Sequence, residues 1–351
     1  MSTMYFDSII LYSTKKIGQS RTSSAIYHLL NGRKSIQTLQ DAKIFELESF
    51  YSIYPNLSKV VFQQKLTKLV KNGYLTIVNN DNVFDITDAG EKWLQTQQSH
   101  FCFQALNGIK YAKTADIFFK RLLLFIQTII NSNEEFFSFI PINDEKEITA
   151  WVKIFYKKVR PYQKKVKKNL FKELKLLLKT IPEELSNMFV DRLSGYKNYG
   201  LSTQQLAAKY QLSVDDINIL FVGMTHHILS ELEREKFKYN LLSLFVELPS
   251  ERLPISLSAN KTNQLLRKGS SLDEIAKLRK LRINTVEDHI VEISLYDPYF
   301  PFESYVSEEE QIIITDAIQR TKSYKLKDIK EKVNEQISYF QIRLILTKLT
   351  K

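Results

Sequence analysis

The chain has 351 residues, with 50 Lys and Arg against 39 Asp and Glu and a formal net charge of +11. Hydrophobic residues make up 44% of the chain and aromatic residues 12%, which suffices for packed cores and excludes a disordered tail. One cysteine, Cys102, excludes an intramolecular disulfide and suits a reducing cytosol.

The N-terminal stretch MSTMYFDSIILYSTKK places its basic pair after the apolar run and shows no small-residue cleavage site, so it does not read as a signal peptide. The longest apolar run, from Ile117 to Ile130, is broken by Lys120 and Arg121 and is too short to span a bilayer. The expectation is a cytoplasmic protein without a membrane partner. Glycine is scarce, at nine residues, and apolar residues recur at three- and four-residue spacing, which predicts an all-α, mainly helical, multi-domain protein.

Residues 1–100 predict a winged helix, an N-terminal domain with a small β-wing. Two helices are expected around 22–31 and 37–53. In SKVVFQQKLTKLVKNGYL, Ser58 caps a third helix, Phe62, Leu66 and Leu69 form its buried face, and Gly73 supplies a left-handed stop. LTIV, the turn NNDN and VFDIT make two strands with the wing tip between them. Asp88 then starts a short helix running through Trp93. On this plan Lys59, Val60, Gln63, Gln64 and Lys68 face DNA. A winged helix that only docks protein has the same outline, and a net +3 over residues 1–95 leaves both open.

Residues 101–254 form a predicted helical middle. Between 151 and 180 there are eleven basic residues and one acid, Glu173, which accounts for nearly all of the net charge. Ile148, Trp151, Val152, Phe155 and Val159 share one helical face, and Pro161 interrupts it. A second helix buries Val166, Leu170, Leu174, Leu177 and Leu178. Lys164, Lys168, Lys172, Lys175 and Lys179 form a stripe on its outer side, roughly 22 Å long at about 1.5 Å per residue. Such a stripe fits a phosphate backbone. It also fits a solvated face, or an amphipathic helix on an anionic membrane. Trp151, Phe155 and Tyr156 are candidates for base stacking, but helical spacing makes Trp151 and Phe155 core residues.

LAAKYQLSVDDI (206–217) and IAKLRKLRINTV (275–286) share an opening apolar–Ala pair, a leucine six positions on and a β-branched residue eleven positions on. This spacing packs two helices across a short turn. The first copy, capped by Ser202 and Ser213, is expected to bury its second helix and touch no DNA. His226 and His227 point about 100° apart on a helix and are no metal pair.

Residues 255–351 hold the second copy, a predicted helix-turn-helix with a helical cap. Ser271 caps its first helix, Ile275 and Ala276 seat it, and Val286 and Ile290 bury the next one. Lys280 occupies the turn position where glycine is common, and Arg282 sits where a capping serine is usual. From Lys261 to Arg282 the net charge is +5, and from Ile283 to Glu310 it is −8. Lys268, Lys277, Arg279, Lys280 and Arg282 are the candidate phosphate contacts. Asn284 and Thr285 are the candidate base contacts, since asparagine reads adenine bidentately. The acids Glu287, Asp288 and Glu292 are candidates for docking a basic protein surface.

AIYHLLNGRKSIQTLQDAKIF (25–45) resembles the hallmark stretch of the YpbB family, bacterial proteins typically encoded beside a RecQ-type helicase. Thr262, Leu265, Gly269, Ile275, Ala276, Arg279, Leu281, Thr285, Val286 and His289 follow that family's helix-turn-helix, and KLKDIKEKVNEQISYFQIRLIL is similar to its closing segment. The resemblance implies an accessory role around a helicase in DNA repair or recombination. It carries no catalytic residue.

No GxxxxGK[ST], no GxGxxG and no Cys/His cluster of metal spacing occurs in the sequence. The expectation is therefore a non-enzymatic DNA-binding protein with no cofactor, no metal and no small-molecule substrate. Its expected partners are duplex or forked DNA, bound with low sequence preference, and a RecQ-type helicase. A sequence-specific transcription regulator and a protein scaffold without DNA contact are the alternatives.

Overall fold

The computed structural model describes residues 4–79, 82–97, 101–246 and 255–349. The chain is mainly helical, with one two-stranded sheet among the described residues. Its first part runs α1 (Tyr5–Ile17), α2 (Ser23–Asn31), α3 (Ile36–Ile44), α4 (Lys59–Lys71), β1 (Leu75–Asn79), β2 (Val83–Ile86) and α5 (Asp88–Gln97). The middle holds α6 (Phe101–Ala105), α7 (Gly108–Tyr111), α8 (Ala115–Asn133), α9 (Lys146–Val159), α10 (Gln163–Leu178), α11 (Glu183–Asp191), α12 (Thr203–Tyr210) and α13 (Val214–Arg234). The last part holds α14 (Leu257–Leu266), α15 (Leu272–Arg279), α16 (Ile283–Tyr296), α17 (Glu308–Thr321), α18 (Leu326–Lys330) and α19 (Tyr339–Lys348).

Two compact units result. One combines Met1–Leu11 with Ala89–Pro249, and the other combines Tyr12–Asp88 with Ser250–Lys351. Segments read from the sequence as N- and C-terminal domains thus share a unit.

In the shared unit, α3 packs on α16 and α19, with Ile36 and Ile44 against a core that includes Ile290, Ile293, Phe340 and Ile345. Polar bonds fix this union. The Arg21 guanidinium donates to Asp41 at 2.9–3.1 Å and to the Tyr324 carbonyl at 2.9 Å. The Gln40 side chain donates to the Arg343 carbonyl at 2.9 Å. The helix expected over 37–53 ends at Ile44, because Glu46 takes a left-handed φ of 54° and breaks the ladder. A 3₁₀ turn, Glu48–Phe50, follows.

α4 is built as its sequence implies. Ser58 Oγ accepts from the Val61 amide, and Phe62, Leu66 and Leu69 are buried. Gly73, at φ 74°, lets the Tyr74 amide return to the Leu69 carbonyl. The β1–β2 hairpin pairs Leu75 with Ile86, Thr76 with Asp85 and Ile77 with Phe84. Residues 80 and 81 of the expected NNDN tip lie outside the described residues.

In the other unit, α8 packs against α9 and α10. Trp151 and Phe155 stack at 5.0 Å, with Phe245 against both rings and Phe125 against Phe155. They therefore serve the core. The Tyr156 hydroxyl donates to Gln163 at 3.2 Å. A 3₁₀ turn, Arg160–Tyr162, carries Pro161 between α9 and α10.

The two related segments fold alike. α12 and α15 each begin with a capping box, Ser202 with Gln205 and Ser271 with Glu274. Each ends on a left-handed residue that is not glycine, Gln211 at φ 55° and Lys280 at φ 52°. Holding a side chain there costs about 1 kcal/mol relative to glycine. Ser213 caps α13 by accepting from the Asp216 amide, and Asp216, Ile217, Ile219 and Leu220 are buried.

On α13, His226 is buried and accepts from the Asn107 amide at 3.1 Å, while half-buried His227 meets Thr180 at 2.8 Å. Burial lowers the His226 pKa from 6.5 to about 4. The unfolded imidazole takes its proton near pH 6.5, but the folded one does not until about pH 4. The stability tied to a neutral His226 is thus complete above pH 6.5 and is lost as pH falls toward 4. At about 1.4 kcal/mol per pH unit, wild type should lose about 3 kcal/mol here between pH 7 and 4. His226→Asn should lack this part of the acid sensitivity, read as the difference in urea midpoint between the two proteins at each pH.

Candidate nucleic-acid interface

The ridge on α10 is an exposed cationic face. Lys164, Lys168, Lys172, Lys175 and Lys179 are all exposed, and none has an acidic partner among the described residues. At 100° per residue the five fall within an arc of about 80°. The one acid of the segment, Glu173, lies on the opposite side and is buried. Its carboxylate accepts from the Leu241 amide at 3.1 Å and the Leu242 amide at 2.9 Å, capping the 3₁₀ turn Leu242–Phe245. The acid satisfies backbone donors that would otherwise be orphaned, so it does not dilute the outer charge. Composition alone shows eleven cations and one anion, whereas the fold separates them onto two faces.

In the unit that joins the chain ends, α4 offers a second cationic face. Of the residues expected to face DNA, Lys59, Val60, Gln64 and Lys68 are exposed and Gln63 is half-buried. Thr67, Lys71 and Asn72 share that shallow surface and were missed. Helical spacing could have found them, because each lies three or four residues from a residue already named. The segment from Lys59 to Lys71 contains four lysines and no acid.

The segment from the end of α14 to the start of α16 carries a third group. Lys268, Lys277, Lys280, Arg282 and Asn284 are exposed, and Thr285 is half-buried. No side chain caps α16 at Arg282. Arg279 differs from its neighbours, since its guanidinium donates to the Ser258 carbonyl at 2.8 Å, to Ser258 Oγ at 3.0 Å and to Thr262 Oγ1. Thr262 Oγ1 also meets His289 Nδ1 at 2.9 Å. Burial, and then the charge of Arg279, hold the His289 pKa below its ordinary value. Thr262, Arg279 and His289 therefore tie α14, α15 and α16 together, and Arg279 has fewer donors left for a phosphate.

The acidic side of the motif is less open than its sequence suggests. Glu292, expected on an exposed docking face, is buried, and its carboxylate accepts from the Ser256 amide and from Ser256 Oγ, the cap of α14. The physical reason is that Ser256 presents two donors beside an otherwise apolar helix face. Asp288 is paired with Arg343. Glu287 is half-buried, and its pKa is raised by that burial against the opposing pull of Arg343. The expected docking acids are thus one internal cap, one ion-paired carboxylate and one half-buried carboxylate.

Among the described residues, no group of three or more His, Cys, Asp or Glu is placed to hold a metal ion. No helix of the described residues is long and apolar enough to cross a membrane.

Comparison with known proteins agrees with this architecture. A family model described as a helix-turn-helix domain matches residues 258–346, which spans α15, the Lys280 turn, α16 and the helices that pack on them. No solved structure matches the chain. Protein YpbB of Bacillus subtilis (strain 168) is 32% identical over 352 residues, covering 99% of this chain and 98% of that protein. Likeness at that level across nearly the whole of both chains means that this chain belongs to the YpbB family.

Proposed function

We propose that this chain is a non-enzymatic DNA-binding accessory protein that grips duplex or forked DNA mainly through phosphates. In this reading, residues 1–100 act as a winged helix with α4 toward DNA, and the helix-turn-helix built on α15 and α16 adds Lys268, Lys277, Lys280 and Arg282. Asn284 and Thr285 stand foremost at the N-terminal end of α16. The ridge on α10 supplies sequence-independent affinity. The observation that carries the reading is the segregation of charge on α10, with five lysines outward and Glu173 inward. The helix-turn-helix match supports DNA as the polyanion. The family's resemblance supports a RecQ-type helicase as partner, in repair or recombination, and a place on the nucleoid.

A salt titration on random duplex and forked DNA tests the reading. Wild type should bind both, with log K falling steeply against log salt. Each phosphate contact contributes about −0.9 to the slope, so Lys59→Glu with Lys68→Glu and Lys71→Glu should remove about 2.7 from its magnitude. Capture of the helicase without any DNA binding at ~100 mM salt would leave only a scaffold.

A second reading has one observation in its favour. Gln63, Gln64 and Asn284 are side chains able to pair adenine bidentately, and Gln64 and Asn284 are exposed. A regulator built on them should prefer its operator over random duplex by roughly 10³-fold or more.

A further inference from the structure

The cationic face of α10 also carries aromatic rings. Phe171 is 68% exposed and lies in the ridge, about 20° from Lys164 at 100° per residue. Lys175 Nζ stands 6.0 Å from its ring centroid. Tyr162, 67% exposed, sits at the start of the same helix. Beside the ridge, a shallow concavity is lined by Asn169, Lys172, Lys238 and Phe237, which is 96% exposed; Glu173 also borders it, with its carboxylate held by the Leu241 and Leu242 amides. On the other flank, Glu134 faces Lys167 at 4.0 Å, and Glu135 borders the concavity that holds Tyr162 and Lys164 without pairing with either.

Single exposed apolar residues are ordinary on a protein surface. Three exposed rings bordering a row of lysines that lack acidic partners are a different pattern. Lysines neutralise phosphates on a duplex or a single strand alike. The rings discriminate, because stacked base pairs hide the base faces and an unpaired strand offers them. Every base has a π-face, so such a surface binds with little sequence preference.

We infer that the α10 face, with Tyr162, Phe171 and Phe237 as stacking platforms, takes single-stranded DNA. This rests on the DNA-binding reading above and specifies the form of the strand.

Binding of full-length protein to a 30-mer oligo(dT) and to a random 30-bp duplex tests it, comparing wild type with Tyr162→Leu, Phe171→Leu and Phe237→Leu, singly and together. Leucine keeps apolar bulk at an exposed site and removes the flat π-face. Each change should weaken oligo(dT) binding roughly 5- to 150-fold, the range for loss of one stacked base, and leave duplex binding within about twofold. Phe171→Trp should bind oligo(dT) as wild type does, with tryptophan fluorescence quenched beyond the wild-type change. Oligo(dT) affinity kept by the leucine variants, with duplex binding intact, overturns this inference and leaves the proposed function standing. Wild type that binds neither DNA overturns both. A tenfold preference for oligo(U) over oligo(dT) overturns the assignment to DNA, and retention on phosphatidylserine vesicles without retention on oligo(dT) overturns the assignment to nucleic acid.

Discussion

Changing Lys164, Lys168, Lys172, Lys175 and Lys179 together to glutamate should abolish the steepest part of the protein's salt-dependent binding to random duplex. Five phosphates neutralised at about −0.9 each give a slope of about −4.5 in log K against log salt. Between ~50 and ~200 mM salt, that contribution alone lowers affinity about 500-fold. The variant should lose this slope and bind more weakly than wild type at ~50 mM salt, since five carboxylates now oppose the phosphates. Folding should survive. The side chains are exposed, glutamate and lysine have similar helix propensity, and only Lys175 and Lys179 lie where the helix dipole disfavours an acid, at about 0.3–1 kcal/mol each. Filter binding across a salt series, beside a circular-dichroism melt, checks both statements. An unchanged slope with an unchanged melt would show that the ridge is a solvated face and that DNA is held elsewhere.

Much of this architecture is legible in the sequence because the relevant forces are local. Ser58, Ser202, Ser213 and Ser271 cap the helices that follow them, as hydroxyls just ahead of an apolar period do. The lysine period on α10 is likewise a property of one helix. Lys280 shows how a weak local signal yields to a repeat. Lysine disfavours a left-handed φ, yet its place in the pattern shared with residues 206–217 marks the turn, and the structure sets φ at 52°.

What the sequence conceals is long-range. Nothing local says that α3 packs on α16 and α19, because Ile36 and Ile44 look like any helix core until their partners some 250 residues away are known. The charge run after Ile283 misleads for the same reason. Glu292 reads as part of an acidic surface, but its carboxylate is engaged by the donors of Ser256, 36 residues earlier. Arg279 reads as a phosphate ligand, but much of its guanidinium is bound to Ser258 and Thr262. Phe171 could have been found. Its wheel position falls among the lysines, and the apolar face of α10 is complete without it.

Glu173 gives the sharpest separation between charge counted along a chain and charge placed in space. By composition it is the only acid within 30 strongly basic residues, so its removal should tighten DNA binding. The structure leads to the opposite practical outcome. Its carboxylate is buried and accepts from two backbone amides, Leu241 and Leu242, that have no other acceptor on offer at the start of their 3₁₀ turn. Hydrogen bonds to a charged group contribute about 1.5–3 kcal/mol, and the amides left behind cannot turn to water without opening the turn. Glu173→Ala should therefore destabilise its unit by about 3 kcal/mol, and Glu173→Gln by about 1 kcal/mol because one acceptor oxygen remains. Neither should raise duplex affinity more than about twofold. The carboxylate is buried and its charge is already taken up by two backbone amides, on the side of α10 opposite the lysine arc. Urea unfolding and duplex titration of the same two variants decide the matter. A tenfold gain in affinity with no loss of stability would mean that Glu173 faces the ligand and that the ridge is not the segregated cationic face described here.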